Sequence, residues 1–272
     1  MTTPGMPSPP LPPAIELEAD ADWRHIDFIS DLHLSGDTAA TFEAWSHYLF
    51  NTPADAVFIL GDLFEVWVGD DARHEGFEAR CTQVLKQAGT RVTIAFMVGN
   101  RDFLVGAEMI GACGMVPLHD PTLLLAFGER TLLTHGDALC LDDTDYLKFR
   151  AMVRTETWQR GFLAQPLQAR QLYAREARQQ SEARKNANPS PADWADVDAS
   201  AAVACLQDAR SRDMVHGHTH RPGSEVLKTG FRRHVLSDWE LDHAPHRAEV
   251  LRLSAKGFER LTLQQALAAL PC

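Results

Sequence analysis

Residues 56–65 read AVFILGDLFE, an unbroken apolar run that stops at Gly61 and is followed at once by Asp62 and, three residues on, Glu65. A short continuous apolar run ending at a glycine marks a strand buried on both faces, with a polar loop at its C-terminal end. The same arrangement recurs outward in both directions. Upstream, His25–Ser30 (HIDFIS) runs into Asp31-x-His33. Downstream, Arg91–Val98 (RVTIAFMV) runs into Gly99-Asn100-Arg101-Asp102. Thr131–Thr134, with a hairpin partner at Leu123–Phe127 across Gly128, runs into His135-Gly136-Asp137. Met214–Val215 runs into His216-Gly217-His218-Thr219-His220. Helical stretches near Ala39–Phe50 and Phe77–Ala88 separate the first three strands. A β-α-β-α-β opening predicts an α/β fold with a partly parallel sheet and a site at the strand ends.

The remainder of the chain is organised around that core. Residues 142–212 lack strand signals, are helix-prone and are broken by Pro166, Pro189 and Pro191, so they read as a helical insertion placed over the site. Phe231–Leu263 holds three alternating segments (HVLSDW, AEVLRLS, ERLTL), expected as an antiparallel meander closing a second sheet. Residues 1–22 are Pro-rich and read as a disordered tail. The domain is then expected over 23–263, with 264–272 as a short C-terminal tail.

Composition narrows the function classes. A net charge of −11 over 272 residues argues against broad nucleic-acid binding, which needs basic surface. Cys81, Cys113, Cys140, Cys205 and Cys272 are scattered with no C-x-x-C pair, as in a reducing compartment, and none lies in the five loops. The first 22 residues carry no Lys or Arg and no apolar run, so they do not read as a secretory signal. With no stretch of ~20 apolar residues, a cytoplasmic protein with at most peripheral membrane contact is expected.

The loop residues are Asp, His and Asn. Carboxylate oxygens and imidazole nitrogens suit divalent ions such as Mn²⁺, Zn²⁺ or Fe²⁺. A lone D-x-H is common and weak; five such loops in order, each after a strand, are not. The series D-x-H, G-D-x-x-E, G-N-R-D, H-G-D and G-H-T-H resembles the calcineurin-like metallophosphoesterases. The resemblance implies an αββα sandwich with a helical cap insertion and a two-metal site at the strand ends. It implies one metal on Asp31, His33, Asp62 and His220, and a second on Asp62, Asn100, His135 and His218, with Asp62 as the bridge and Mn²⁺ as a frequent ion. Asn100, Arg101 and His218 would be the catalytic set. Glu65, Asp102 and Asp137 read as residues that orient others, and His216 as a core or supporting residue.

One departure sharpens the substrate. The family's third loop usually carries His where Arg101 stands. An alkoxide leaving group needs a proton, which Arg cannot give because its pKa exceeds ~12. A phosphate leaving group, with a second pKa of about 6, leaves unprotonated and gains from a fixed bidentate cation. Arg101 therefore favours diphosphate cleavage over an ordinary phosphodiester. The segments FISDLHLS, ILGDLFEVWVGDD, GNRDFLVG, THGDALCLDDTDYLKFR and HGHTHRP resemble the family members that hydrolyse UDP-2,3-diacylglucosamine in lipid A biosynthesis. That resemblance implies water attack on the α-phosphate, giving UMP and 2,3-diacylglucosamine 1-phosphate, on the cytoplasmic face of the inner membrane. It adds Asp143, Ser181 and Lys185 to Asn100, Arg101 and His218 as substrate contacts, with Arg178 and Tyr146 nearby. After Ser181 the sequence departs from the pattern, and Lys185, Asn186 and Asn188 compete for the next contact.

The insertion points the same way. Nine cations from Lys148 to Lys185, Arg170 among them, face only Glu156, Glu176 and Glu182, with apolar residues interleaved. Such a face fits an anionic acylated substrate, although any surface helix is amphipathic. The alternatives are another two-metal phosphodiesterase of the same fold, which Arg101 argues against, a nucleotide pyrophosphatase of that fold, and a metal-binding scaffold without activity.

Overall fold

The apolar runs become the central strands of two six-stranded sheets in the computed structural model, which describes residues 11–187, 196–227 and 230–268. The first sheet has the spatial order β1 (Ile15–Glu18), β6 (Thr122–Ala126), β7 (Glu129–Leu133), β8 (Asp213–His216), β10 (Arg232–Val235), β9 (Gly223–Val226). The second has the order β12 (Gly257–Thr262), β11 (Glu249–Ser254), β2 (Ile26–Ile29), β3 (Ala56–Leu60), β4 (Thr93–Met97), β5 (Val116–Leu118). From β2 to β5 every pairing is parallel, as the intervening helices require.

Three apolar layers hold the sandwich. Alternate residues of each central strand point to opposite sides of its sheet. Phe28, Phe58, Leu60 and Met97 of the second sheet meet Leu124, Leu133 and Val215 of the first. Ile29, Val57, Ile59 and Phe96 face the other way, under α1 (Ala39–Asn51), α2 (Gly76–Ala88) and α3 (Ala107–Cys113). Leu123, Leu132 and Met214 face α7 (Ala199–Asp208), which supplies Ala202, Cys205 and Leu206. This is the αββα sandwich that the loop motifs imply.

Three expectations change. The start of the chain is not wholly a tail: Ile15–Glu18 adds in parallel to β6, with Leu11 buried against the α7 layer. Its proline-rich flank hides a four-residue strand that alternates too briefly to be read. The C-terminal segments do not form one meander. β10 lies in the first sheet, parallel to β8, and only β11 and β12 form the hairpin that extends the second. The insertion also divides. α4 (Thr144–Val153), α5 (Glu156–Leu163) and α6 (Leu167–Ala187) stand apart from α7, which is a layer of the sandwich. At the C-terminus, residues 263–266 form a last helical turn, α8, with a Thr262–Gln265 capping box.

Candidate metal centre

The five loops meet at one end of the two sheets. Asp31 and His33 follow β2, Asp62 follows β3, Asn100 and Arg101 follow β4, His135 follows β7, and His218 and His220 follow β8. Their backbones are held in an unusual shape. Seven non-glycine residues among those described have positive φ, and five are Asp31 (55°), His33 (48°), Asp62 (53°), His218 (66°) and His220 (51°). Each such residue costs about 1–3 kcal/mol, which persists only where surrounding structure enforces it. Here the enforcement is visible. His33 N donates to Asp62 O at 3.0 Å, Asp31 N to Gly61 O at 3.1 Å, and His218 N to Asp31 Oδ2 at 2.8 Å. The buried Asp102 carboxylate accepts from Gly99 N (2.7 Å), Leu63 N (2.8 Å) and Asp62 N (3.3 Å), so it ties two loops together rather than orienting Arg101. Gly99 sits so close to Asp62 that a Cβ there would lie 2.1 Å from Oδ1.

The side chains converge in two groups that could hold cations: Asp31, His33 and His220, and Asp31, Asp62 and His135. Asp31 is the member common to both, and Asp62 Oδ1 lies 3.7 Å from His135 Nε2. His33 Nε2 faces His220 Nε2 at 3.2 Å. Asn100 Oδ1 lies 2.9 Å from His135 Nε2 and 2.8 Å from His218 Nδ1.

These contacts fit bound cations on chemical grounds. His135 Nδ1 donates to the Leu60 carbonyl at 2.9 Å, because a carbonyl can only accept. Neutral His135 then turns the lone pair of Nε2 toward Asn100 Oδ1, which is also an acceptor. In the other group, Glu65 Oε2 lies 3.1 Å from His33 Nδ1 and Asp238 Oδ2 lies 3.7 Å from His220 Nδ1. Those carboxylates favour a proton on each Nδ1, which would leave lone pairs on the facing Nε2 atoms. Asp31 Oδ1 is buried without a hydrogen-bond donor. Lone pairs that converge on each other call for positive charge between them.

Without a cation, the same field of carboxylates draws a proton into its place. Burial would lower the pKa of His135, yet Asp62, Asp31 and Asp137 raise it to about 9. Burial likewise opposes charge on His33, yet Glu65, Asp62 and Asp31 raise it. His218 is lowered to about 3 by burial and by the neighbouring charge of His135. Burial would raise Asp31, but His220, 3.4 Å away, and the charges of His220, His135 and His33 hold it well below the usual range.

A pH dependence follows for the metal-free protein. A His raised from 6.5 to about 9 contributes stability that is complete below pH 6.5 and lost as pH rises through 9. In excess chelator, Tm should therefore fall between pH 6.5 and 9, and a divalent cation should flatten that slope. A flat profile in chelator would contradict this account of the site's field.

The expected substrate residues are placed unevenly. Arg101 N donates to Asp62 Oδ1 at 2.8 Å, and its guanidinium lies 3.3 Å from Glu65 Oε1. Glu65 thus lies against both His33 and Arg101. Asp143 is the exposed N-cap of α4, accepting from Tyr146 N at 3.0 Å. The Tyr146 ring stacks 6.1 Å from His218, and its hydroxyl donates to the buried Asp137. Ser181, Lys185 and Asn186 lie on α6; their side chains, and that of Arg178, are outside what is described, and Asn188 lies outside the described residues. His216 is buried, donates to Gly217 O at 2.8 Å and is lowered to about 4 by burial, as a supporting residue would be.

Three residues escaped the sequence reading. Asp238, fixed by Arg247 through contacts of 2.6–3.1 Å, faces His220. It too is an aspartate just beyond a strand, β10, and that signal could have found it. Arg150 and Arg154 belong to the basic face of the insertion but turn inward, to Asp137 Oδ2 (2.8 Å) and to Gly99 O (2.7 Å). Both dock α4 on the site.

The family model described as "Calcineurin-like phosphoesterase" matches residues 24–222. A Xanthomonas campestris protein named UDP-2,3-diacylglucosamine hydrolase is 41% identical over 249 residues, covering 88% of this chain and 97% of that protein. A Chromobacterium violaceum protein of the same name is 42% identical over 221 residues, covering 79% of this chain and 90% of that one. Among solved structures, a phosphoesterase from E. coli aligns with a TM-score of 0.43 at 16% identity, over 89% of this chain and 94% of that chain.

Proposed function

This chain belongs to the calcineurin-like phosphoesterase family, and we propose that it hydrolyses the diphosphate bond of UDP-2,3-diacylglucosamine, giving UMP and 2,3-diacylglucosamine 1-phosphate in lipid A biosynthesis. The relatives' shared name supports the substrate class. Arg101 carries the reading at the level of chemistry. Its backbone is tied to Asp62 and its guanidinium lies against Glu65, so a fixed cation stands next to Asn100, where we propose that the leaving group sits.

Asp31, His33, Asp62 and His220 would hold one divalent ion, and Asp62, Asn100, His135 and His218 the other. The donor set of carboxylate, amide oxygen and imidazole suits Mn²⁺. Such ions, when bound, supply Lewis-acid charge and lower the pKa of water toward neutrality. Water adds to the α-phosphorus in line, and the bond from that phosphorus to the bridging oxygen breaks. The sugar phosphate departs with that oxygen and its electron pair, so no side chain need act as an acid. Arg101 offsets the charge that grows on the departing phosphate. Asn100 and His218 stabilise the phosphoryl oxygens. Asp143 and Tyr146, with Ser181 and Lys185 on α6, are the substrate contacts we propose beyond the phosphates.

We place the reaction at the cytoplasmic face of the inner membrane. No helix among the described residues is long and apolar enough to cross a bilayer. Support for peripheral contact comes from Phe149, Met152, Leu163, Leu172 and Tyr173, exposed on α4–α6 alongside Lys148, Arg160 and Arg175.

The test is phosphorus NMR of UDP-2,3-diacylglucosamine incubated with the protein and Mn²⁺ in ¹⁸O water. The expected product is UMP carrying the label, absent when a chelator is present from the start. Label in the sugar phosphate instead would move the attack to the other phosphorus. No cleavage, alongside ready hydrolysis of a simple phosphodiester, would overturn the substrate and the part given to Arg101.

A further inference from the structure

The stretch Trp67–Asp71 (WVGDD) bears no part in the site just described, yet it is hydrogen-bonded on two sides. On one side it is fastened to the loop that carries Arg101. Trp67 N donates to Arg101 O at 3.1 Å. Asp70 accepts from Trp67 Nε1 (3.1 Å), Gly106 N (2.9 Å) and Met109 N (2.9 Å), fixing the stretch to the start of α3. On the other side it grips the insertion. Arg170, in the first turn of α6, is only 3% exposed. It makes a two-pronged contact with the Asp71 carboxylate and donates to Val68 O and, at 3.0 Å, to Gln165 O.

Gly69 is shaped for this contact. Its φ of +133° suits glycine, and a Cβ there would lie 2.3 Å from Arg170 Nη1 and 2.8 Å from Leu163 Cδ2. Phe162, Trp158, Leu167 and Ala174 pack around the junction as part of the core that holds Trp67 and Val68. A basic residue expected on the solvated face of the cap is thus buried at its base.

We propose that Arg170 and Asp71 are positioning residues that set α6 at a fixed distance from Arg101, so that the helix meets the part of the substrate beyond the diphosphate. The bonded path runs Asp62–Arg101–Trp67–Asp70 on the site side and crosses to α6 through Asp71 and Arg170. A planar guanidinium held by a carboxylate fork and two carbonyls fixes orientation as well as distance. This inference rests on the proposed diphosphatase activity.

Asp71→Asn and Arg170→Gln, assayed on UDP-2,3-diacylglucosamine with Mn²⁺, should raise KM at least tenfold while kcat stays within threefold of wild type. The double variant should be no worse than Arg170→Gln alone, because that change already removes the contact that Asp71→Asn weakens. A purely structural role would instead lower the active fraction, so kcat would fall with KM unchanged. That result, or a KM within twofold of wild type, overturns the proposal. Hydrogen exchange keeps the test independent of the substrate. Amides of α6 should exchange at least tenfold faster in Asp71→Asn, and unchanged exchange overturns the link. If the wild-type protein does not cleave the lipid, the activity is wrong, and exchange alone decides the link.

Discussion

Asn100→Ala is expected to lower kcat on UDP-2,3-diacylglucosamine by roughly 10²–10³-fold, the range found when one preorganised group aimed at a transition state is removed. Asn100 Oδ1 reaches both His135 and His218, at 2.9 and 2.8 Å. Its deletion removes a proposed metal ligand and a proposed phosphoryl contact together. The fold should survive, because Asn100 sits in a loop and is partly exposed, and because Asp102 still gathers the two neighbouring loops. The checks are kcat at saturating substrate, bound Mn²⁺ and Tm. A Tm within a few degrees of wild type with activity lost is the expected pattern. Activity within tenfold of wild type would remove Asn100 from the catalytic set.

The sequence exposed the convergence of the loops because strand-end placement is a local property. An apolar run followed by Asp, Asn or His reports where a side chain sits along a strand, and parallel order brings those ends together. Asp31, His33, Asp62, Asn100, His135, His218 and His220 were legible in that way. What depends on long-range contact was not. Nothing near Arg170 distinguishes it from Arg160, which is exposed beside Glu156 on α5, whereas Arg170 is buried against Asp71, ninety-nine positions away. The strand at Ile15–Glu18 is stabilised by β6 and not by its own pattern. The sheet that receives β10 is decided by pairing with β8, which alternation cannot reveal. His234 has no partner spacing in the sequence, yet it is buried between Ser224 (2.8 Å) and Asp213 (3.1 Å), again partners on other strands.

The same distinction governs the second large effect, which lies far from the chemistry. Arg252→Met should destabilise the protein by about 3–5 kcal/mol, the cost of stranding one member of a buried ion pair. Asp27 is fully buried on β2 and is the register partner of Arg252 on β11, itself 4% exposed. The guanidinium donates to both carboxylate oxygens, at 2.6 and 2.8 Å, and to Ala266 O at 3.0 Å; Tyr48 and Thr52 complete the shell at 2.7 and 3.2 Å. Without Arg252 the carboxylate keeps two hydroxyl donors and no counter-charge. At roughly 2–4 °C per kcal/mol for a chain somewhat smaller than this one, Tm should drop by on the order of 10 °C. Asp27 stands near the start of β2, at the end remote from Asp31, so activity at 20 °C should remain within twofold of wild type. Adding Asp27→Val and Tyr48→Phe to Arg252→Met should recover part of the loss, because no buried charge is then left unpaired. A Tm change under about 3 °C in Arg252→Met alone would mean that water reaches the site in the variant and that the pair contributes little. Arg252→Met thus tests the buried N-terminal half of β2, which supplies rigidity, apart from the loop beyond its C-terminal end, which supplies ligands held in strained backbone.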